Sequence, residues 1–439
     1  MEKARINSKE IKKNDIFFAI KGKNKNGNLF IQEAFKKGAS LAIVNNPKKL
    51  HKQIRVKDTL KFLTKSSSLL RNNISSKIIA ITGSCGKTTL KDLVGKTLNK
   101  ISNTTYSRKS FNNKYGVPLS LFNLKKNDEF GVFEIGMDKK GEIDYLSKII
   151  KPEVGVITNV SYAHAKNFKN IKQIALAKSE IIKNIKNGGS IVLNADDRFY
   201  NLHKTIAQKR KIKIHSFSIN KKNCEVNLDF IKKKKQRYKV SLNINKSKKY
   251  FYLNSNFEND IKNLLAAVSV ILIFKNLKEL DNNIFYNHKV PNGRGDISRV
   301  RIFKKNLNLI DESYNSNPLS LQSALKNFNN LNVNDSKKHL ILGDMLELGR
   351  HSKKLHQAIS KSINGTSINC VNVIGKHIKN TYKNLNNSKK GLILKNNSQI
   401  IDLIKNNINN NDYLMIKGSN STGLNKITND LKTGKINAL

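Results

Sequence analysis

The stretch ITGSCGKTT, residues Ile81 to Thr89, decides the fold. The apolar run KIIAIT that leads into it from Lys77 reads as a strand, and the residues from Thr88 onward read as a helix. A strand, a glycine-bearing loop and a helix opening on Lys-Thr form the arrangement that holds nucleotide phosphates. Glycines let the backbone wrap phosphate oxygens, and the helix N-terminus adds free N–H groups and a positive dipole. Lys87 can reach the β- and γ-phosphates, and the Thr88 hydroxyl can hold Mg²⁺. Gly83 and Gly86 enclose two residues where the usual loop has four, so the strand–loop–helix context carries the reading. Cys85 reads as a small side chain whose backbone does the binding.

Upstream, residues 1–76 read as a small α/β unit. NDIFFAI (Asn14–Ile20) and ASLAIVNN (Ala39–Asn46) are strand-like, LFIQEAFKKGA (Leu29–Ala39) has helical spacing, and a polar segment runs on to Ser76. Downstream, VFEIGM (Val132–Met137), VGVITNV (Val154–Val160) and SIVLNADD (Ser190–Asp197) are further strands, with helical patterns such as Ile171–Ile185 between them. Such alternation implies a mainly parallel sheet covered on both faces. Lys211–Tyr252 looks antiparallel and peripheral. PNGRGD (Pro291–Asp296) is the clearest break, and NLNLIDES, HLILGDM, CVNVIG and DYLMIKG follow as four strand-like runs. The expected fold class is therefore α/β in three domains, 1–76, 77–296 and 297–439. The central one is a P-loop-type parallel-sheet domain and the last is Rossmann-like.

Composition narrows the function. Among 439 residues, Lys and Arg number 82 and Asp and Glu 31, a net charge of +51. The lysines run along the whole chain and aromatics are only 7%, without the aromatic platforms that single-strand binders need. The densest run, Lys232–Tyr250, alternates like an exposed strand pair, and no nucleic-acid partner is expected. Three widely spaced cysteines, Cys85, Cys224 and Cys370, support neither a zinc knuckle nor a disulfide framework and suit a reducing, cytoplasmic compartment. The longest apolar run, Leu264–Phe274, is too short for the ~20 residues of a membrane helix and reads as a buried helix, so no membrane insertion is expected.

Glu134 ends a strand, at the edge where open α/β sheets collect ligands, and Asn159 and His164 follow another. A carboxylate and an imidazole near a phosphate loop suit a second divalent metal of the Mg²⁺ or Mn²⁺ kind. Lys178, within ALAKSEI, looks like a routine exposed lysine. DESYNSNP (Asp311–Pro318), GDMLELG (Gly343–Gly349) and KGSNSTG (Lys417–Gly423) are three polar loops after strands, and together they mark a second functional face.

Taken in order, TGSCGKTT, SFNNKYGVPLSL, FEIGMDKKGEI, AHAKNF, ALAKSEI, NGRGD, DESYNSNP, LGDMLELG and KGSNSTG resemble the Mur ligase family, and NDIFFAI through ASLAIV resembles its uridine-nucleotide-binding domain. Within that family DESYNSNP and LGDMLELG look like the member that adds D-alanyl-D-alanine to UDP-N-acetylmuramoyl-tripeptide, the last cytoplasmic step of the peptidoglycan precursor. The resemblance implies ATP and Mg²⁺, with two metal sites, a monomer, and an ADP-forming ligation through an acyl phosphate. It implies that Gly83, Ser84, Cys85, Gly86, Lys87, Thr88 and Thr89 hold the phosphates. Asn112 and Asn113 would lie beside them, Asn263 and Arg294 would touch the nucleotide, and Asp311, Asn315 and Asn317 would close from the C-terminal domain. Thr88, Glu134, His164 and a CO₂-carbamylated Lys178 would bind metal, with Lys87, Lys178 and His164 as the catalytic set. Asn28 stands where the family commonly has His, and Ser8-Lys9 stands for a Ser-x-Arg-like pattern. The alternatives are a folylpolyglutamate-type ligase with another acceptor and a basic ATPase acting on nucleic acid.

Overall fold

The computed structural model describes residues 3–22, 25–47, 52–333 and 335–438. Lys23 and Asn24, inside the quoted N-terminal resemblance, lie outside that set. The elements form three sheets. The first has four parallel strands, in order Ala4–Arg5, Ile16–Phe18, Leu41–Val44 and Gln53–Arg55.

The polar segment expected up to Ser76 is instead a strand and the helix Thr59–Asn72, capped by Asp58, whose carboxylate accepts from the N–H groups of Leu60 and Lys61. Its buried positions are Thr59, Leu63, Ser67 and Arg71, four residues apart, so a helical stripe exists but only one member is apolar. Two of the polar members, Ser67 and Arg71, bond across to the next unit. Ser67 Oγ donates to Leu63 O and to Pro118 O. Arg71, 2% exposed, donates to the backbone oxygens of Ile150 and Lys151 and pairs with Glu153 at 2.7 Å.

The second sheet has nine strands. From one edge to the other they are Ser247–Leu253, Arg237–Ile244, Val226–Lys234, Lys213–Ser218, Ser190–Asn194, Val154–Ile157, Lys77–Thr82, Phe130–Glu134 and Thr104–Tyr106. All neighbours are parallel except the first three, which form an antiparallel meander. The antiparallel look of Lys211–Tyr252 therefore marks an extension of the same sheet, since Lys213–Ser218 pairs in parallel with Ser190–Asn194. The apolar run near Leu264 is the helix Glu258–Ile271, buried along most of its length. No helix among the described residues is long and apolar enough to cross a membrane.

The third sheet has six strands, in order Asp296–Ile302, Lys305–Glu312, Tyr413–Lys417, Lys338–Gly343, Cys370–Ile374 and Lys390–Leu394. Two of them, the outermost pair Asp296–Ile302 and Lys390–Leu394, were not among the four expected runs. Edge strands bury one face poorly and carry little hydrophobic pattern. The C-terminal ends of Lys305–Glu312, Lys338–Gly343 and Tyr413–Lys417 carry the three polar loops seen in the sequence, and these face the P-loop edge of the central sheet.

Candidate active site

The loop Gly83–Gly86 joins the strand Lys77–Thr82 to the helix Lys87–Leu98. Gly83 sits at φ 149° with Thr158 so close that a Cβ there would lie 1.8 Å from its hydroxyl oxygen. Gly86 takes φ 80° at the helix N-cap, a left-handed conformation that glycine adopts without steric penalty. The expectation that the Cys85 backbone itself receives phosphate is modified here. Its N–H donates to Asn159 Oδ1 at 2.9 Å, and its carbonyl accepts from the Thr158 hydroxyl at 2.7 Å. The Ser84 N–H is likewise bonded, to Asn159 O at 3.0 Å. Those bonds stiffen the loop and leave the first turn of the helix at Lys87, Thr88 and Thr89 as the source of free donors.

Lys87 Nζ folds back onto Gly83 O at 2.8 Å. Burial lowers its pKa, and the nearby Glu134 charge opposes that shift. Thr88 Oγ1 donates to Glu134 Oε2 at 2.6 Å, and Asn112 Nδ2 donates to Glu134 Oε1 at 2.7 Å. Glu134 is 1% exposed. A buried carboxylate beside a hydroxyl is an all-oxygen donor pair, which fits Mg²⁺.

The C-terminal unit reaches this group directly. Tyr314 OH donates to Ser110 Oγ at 2.6 Å, Arg294 donates to the same oxygen at 3.3 Å, and Ser110 Oγ lies 3.3 Å from Thr88 Oγ1. The Cys85 thiol donates to Asn317 Oδ1 at 3.1 Å. Burial pushes that thiol's pKa up, against the opposing influence of Asn317 and Lys87, so it stays protonated and serves as a donor. Asn317 caps the helix Pro318–Asn329 through Ser320 N. Lys417, 1% exposed on its side chain, pairs with Glu312 at 3.0 Å and donates to Asn315 O.

Together these residues enclose a cleft of about 330 Å³. It gathers Ser84 through Thr89, Asn112, Glu134, His164, Asn263, Arg294, Asn315 and Asn317 from the sequence expectations, with Ser110, Tyr314 and Lys417 beside them. Four expected residues stand off its wall. Gly83 opens the loop but packs against Thr158. Asn113 Oδ1 caps the next helix by accepting from Tyr115 N and Gly116 N. Asp311, 2% exposed, accepts from Ser313 and pairs with Lys432 at 2.5 Å inside the C-terminal unit.

Lys178 also departs from its plain reading as a routine exposed lysine. It is 2% exposed on the helix Ile171–Lys183 because that helix packs this face against the sheet. Burial lowers its pKa well below the usual lysine value, and the Lys87 charge adds to the shift. A neutral amine is the form that reacts with CO₂, so this environment fits a carbamylation site.

Ser110 and Tyr314 lie inside quoted motifs, Ser110 opening SFNNKYGVPLSL and Tyr314 within DESYNSNP, but the sequence singles out neither. Nothing in their spacing announces a contact across the two units. A second, wider groove of about 1380 Å³ lies between the N-terminal and central units, lined by Arg5, Lys9, Lys12, Lys25, Arg108 and Lys109 among others. Asn28 is buried beside it, and its amide donates to Asn26 and Asn45 at 2.8 and 2.6 Å, which fixes the turn.

A short phosphate loop opening onto a cleft that a second α/β sheet completes is the architecture of an amide ligase that couples nucleotide binding to domain closure. Two family models match in tandem, the Mur ligase middle domain over residues 81–271 and the Mur ligase, glutamate ligase domain over residues 298–420. The chain belongs to the Mur ligase family. It is 31% identical over 431 residues to the UDP-N-acetylmuramoyl-tripeptide–D-alanyl-D-alanine ligase of Rickettsia prowazekii (strain Madrid E), spanning 96% of this chain and 93% of that one. Among solved structures, MurF from Acinetobacter baumannii superposes with a TM-score of 0.84 at 26% identity, covering 98% of this chain and 93% of that one. The MurF ligase of Thermotoga maritima in complex with ADP shares the fold with a TM-score of 0.81 at 24% identity, over 98% and 97% of the two chains.

Proposed function

We propose that this chain joins D-alanyl-D-alanine to UDP-N-acetylmuramoyl-tripeptide with conversion of ATP to ADP and phosphate, a step of peptidoglycan precursor synthesis. The observation that carries the reading is the closed cleft, in which Lys87, Thr88 and Glu134 of the central unit meet Tyr314, Asn315 and Lys417 of the C-terminal unit, in a chain matching relatives of that name over nearly its full length.

ATP binds with its phosphates on the helix N-terminus at Lys87–Thr89. Lys87 leaves Gly83 O to meet the γ-phosphate, whose charge it balances as the tripeptide carboxylate attacks. Thr88 and Glu134 would hold Mg²⁺, which would supply positive charge beside the transferring phosphate. Lys178, carbamylated, would add a carboxylate-like ligand for a second ion, with His164 beside it. The product of the first step, with ADP released, is an acyl phosphate that water would destroy, so Tyr314 and the Asn315–Asn317 loop exclude water while the dipeptide amine attacks the acyl carbon, loses a proton and expels phosphate. Asn263 and Arg294 flank the nucleotide. Asn112 acts through Glu134, and Asn113 and Asp311 act by fixing the elements that carry the wall.

The uridine diphosphate lies in the wide groove, where Arg5, Lys9, Arg108 and Lys109 suit its charge. The three cysteines are unpaired, in keeping with action in the cytoplasm, and the chain works as a monomer.

Phosphate release from ATP in the presence of UDP-N-acetylmuramoyl-tripeptide, with and without D-alanyl-D-alanine, tests the reading. Release that needs both, with a pentapeptide product confirmed by mass, is the expected result. Release supported by glutamate instead of the dipeptide would overturn the choice of amine.

A further inference from the structure

Lys91 is a buried charge that no step of the ligation uses. It lies one turn beyond Lys87 and Thr88 on the helix Lys87–Leu98, and its side chain is fully buried. Its Nζ donates to Ser107 O at 2.6 Å, to Lys109 O at 3.1 Å and to the Asp92 carboxylate. An ammonium has three N–H donors, so all three are spent. Two of them fasten the loop Ser107–Asn112 to the helix that carries the phosphate-binding residues.

That loop is shared by the two cavities. Ser110 and Asn112 line the nucleotide cleft, whereas Arg108, Lys109 and Phe111 line the wide groove. On the cleft side Ser110 meets Thr88, Arg294 and Tyr314, and Asn112 holds Glu134. On the groove side Arg108 and Lys109 reach Glu10 of the N-terminal unit at 3.1 and 3.6 Å. The backbone is strained where the loop changes sides. Lys109 takes φ 47°, a left-handed conformation that a residue other than glycine keeps only where its surroundings enforce it. Lys91 bonds the carbonyl of that same residue and so holds the turn in place.

We propose that Lys91 is a positioning residue for the phosphoryl step, which fixes the loop Ser107–Asn112 and thereby the separation between the uridine substrate on one side and the nucleotide on the other. This rests on the ligase reading, in which a carboxylate carried in the groove attacks the γ-phosphate in the cleft. Attack needs the reacting atoms ~3–3.5 Å apart and aligned, whereas each ligand can bind its own cavity alone. Lys91 lines neither cavity. Removing its donors therefore leaves each ligand its own contacts and loosens only the alignment between them.

Lys91→Met keeps the unbranched stem and removes the donors. On the full chain, thermal melts read folding, calorimetry reads the Kd of ADP and of UDP-N-acetylmuramoyl-tripeptide, each titrated alone, and phosphate release at saturating substrates reads kcat. kcat should fall about 10²-fold, the effect of a misplacement of about 1 Å, with both Kd values within about threefold of the parent. The double variant Lys91→Met/Ser110→Ala should lose much less than the product of the two single losses, since both act through one loop. A lysine serving only the fold would lower the melting temperature and leave kcat of the folded, saturated enzyme in place. A folded Lys91→Met that keeps kcat within about threefold, or whose Kd values rise in step with the loss of kcat, overturns the proposal. If Lys91→Met gives no cooperative melt, Asp92→Asn, which weakens the third bond of Lys91, is judged by the same two criteria. A parent that binds both ligands but releases no phosphate with the dipeptide defeats the ligase reading, and the positioning role falls with it. A parent that turns over beside an unaffected variant defeats the positioning role alone.

Discussion

Replacing Lys178 by Met should make the protein more stable while ending ligation. Lys178 is 2% exposed, and the state of its amine is set by burial first, then by Lys87, with Cys85 and Asp197 opposing and no hydrogen bond contributing. Replacing a buried amine, whose charged form finds no full partner, by an apolar side chain of similar volume stabilises by up to about 1–4 kcal/mol, and Met matches the unbranched lysine stem. For a folding unit of this size each kcal/mol raises the melting temperature by about 2–4 °C, so the variant should melt up to about 16 °C higher.

The pH dependence has a definite sign. The folded-state pKa lies below the unfolded value of 10.5, so the penalty in the parent is complete below the folded pKa and fades as pH rises toward 10.5. The advantage of Lys178→Met should therefore shrink as pH rises. Thermal melts of parent and variant in CO₂-depleted buffer, from neutral pH upward, read the difference. Added bicarbonate should act on the parent only and should not rescue the variant's ligation. A variant that melts below the parent at neutral pH, or that turns over normally, would refute the reasoning.

Gly83→Ala puts a methyl group 1.8 Å from Thr158 Oγ1. It should destabilise by about 1–3 kcal/mol, as overpacking does, and weaken ADP binding as the Thr158–Cys85 bond breaks, which calorimetric titration would show. Arg71→Ala takes one of two cations from Glu153, leaving Lys186 at 2.6 Å, and unpairs the backbone oxygens of Ile150, Ser76 and Lys151, at about 1–3 kcal/mol for buried groups left without a donor, readable as a lower urea midpoint. His288 is held near a pKa of about 4 by burial, with Lys96 and Lys100 adding and Asp92 opposing. The folded state therefore binds fewer protons there, so stability should fall as pH drops from 6.5 through about 4, and His288→Gln should flatten that loss in melts across the range.

The central sheet was legible because its strands, Lys77–Thr82 and Ser190–Asn194 among them, are buried on both faces and read as apolar runs. The helix Thr59–Asn72 was hidden for the opposite reason. Its buried stripe is Thr59, Leu63, Ser67 and Arg71, and Ser67 and Arg71 are satisfied by bonds to residues far away in sequence, which no local pattern reports. The phosphate loop announced itself through glycine chemistry and context. Lys178 did not, because burial of a lysine is a tertiary fact, and only family resemblance singled it out. Ser110 and Tyr314 gain their meaning from a contact between two units, and spacing along one chain carries no trace of it.

The meander at the edge of the central sheet gives the large positive charge a physical role. Its outer strand, Ser247–Leu253, has no strand partner on one side, and Lys248 stands exposed along it with Lys249 half-buried beside it. Arg299 and Arg301 stand likewise on the edge strand Asp296–Ile302 of the third sheet. Cations on an open edge keep two copies from adding strand to strand, and their reach depends on the ions around them, since screening shortens it from ~10 Å at 0.1 M salt to ~3 Å at 1 M. Colloidal stability is thus tied to ionic strength in this chain: concentrated salt strips the guard from these borders while the interior stays intact, and folded molecules become adhesive at their seams.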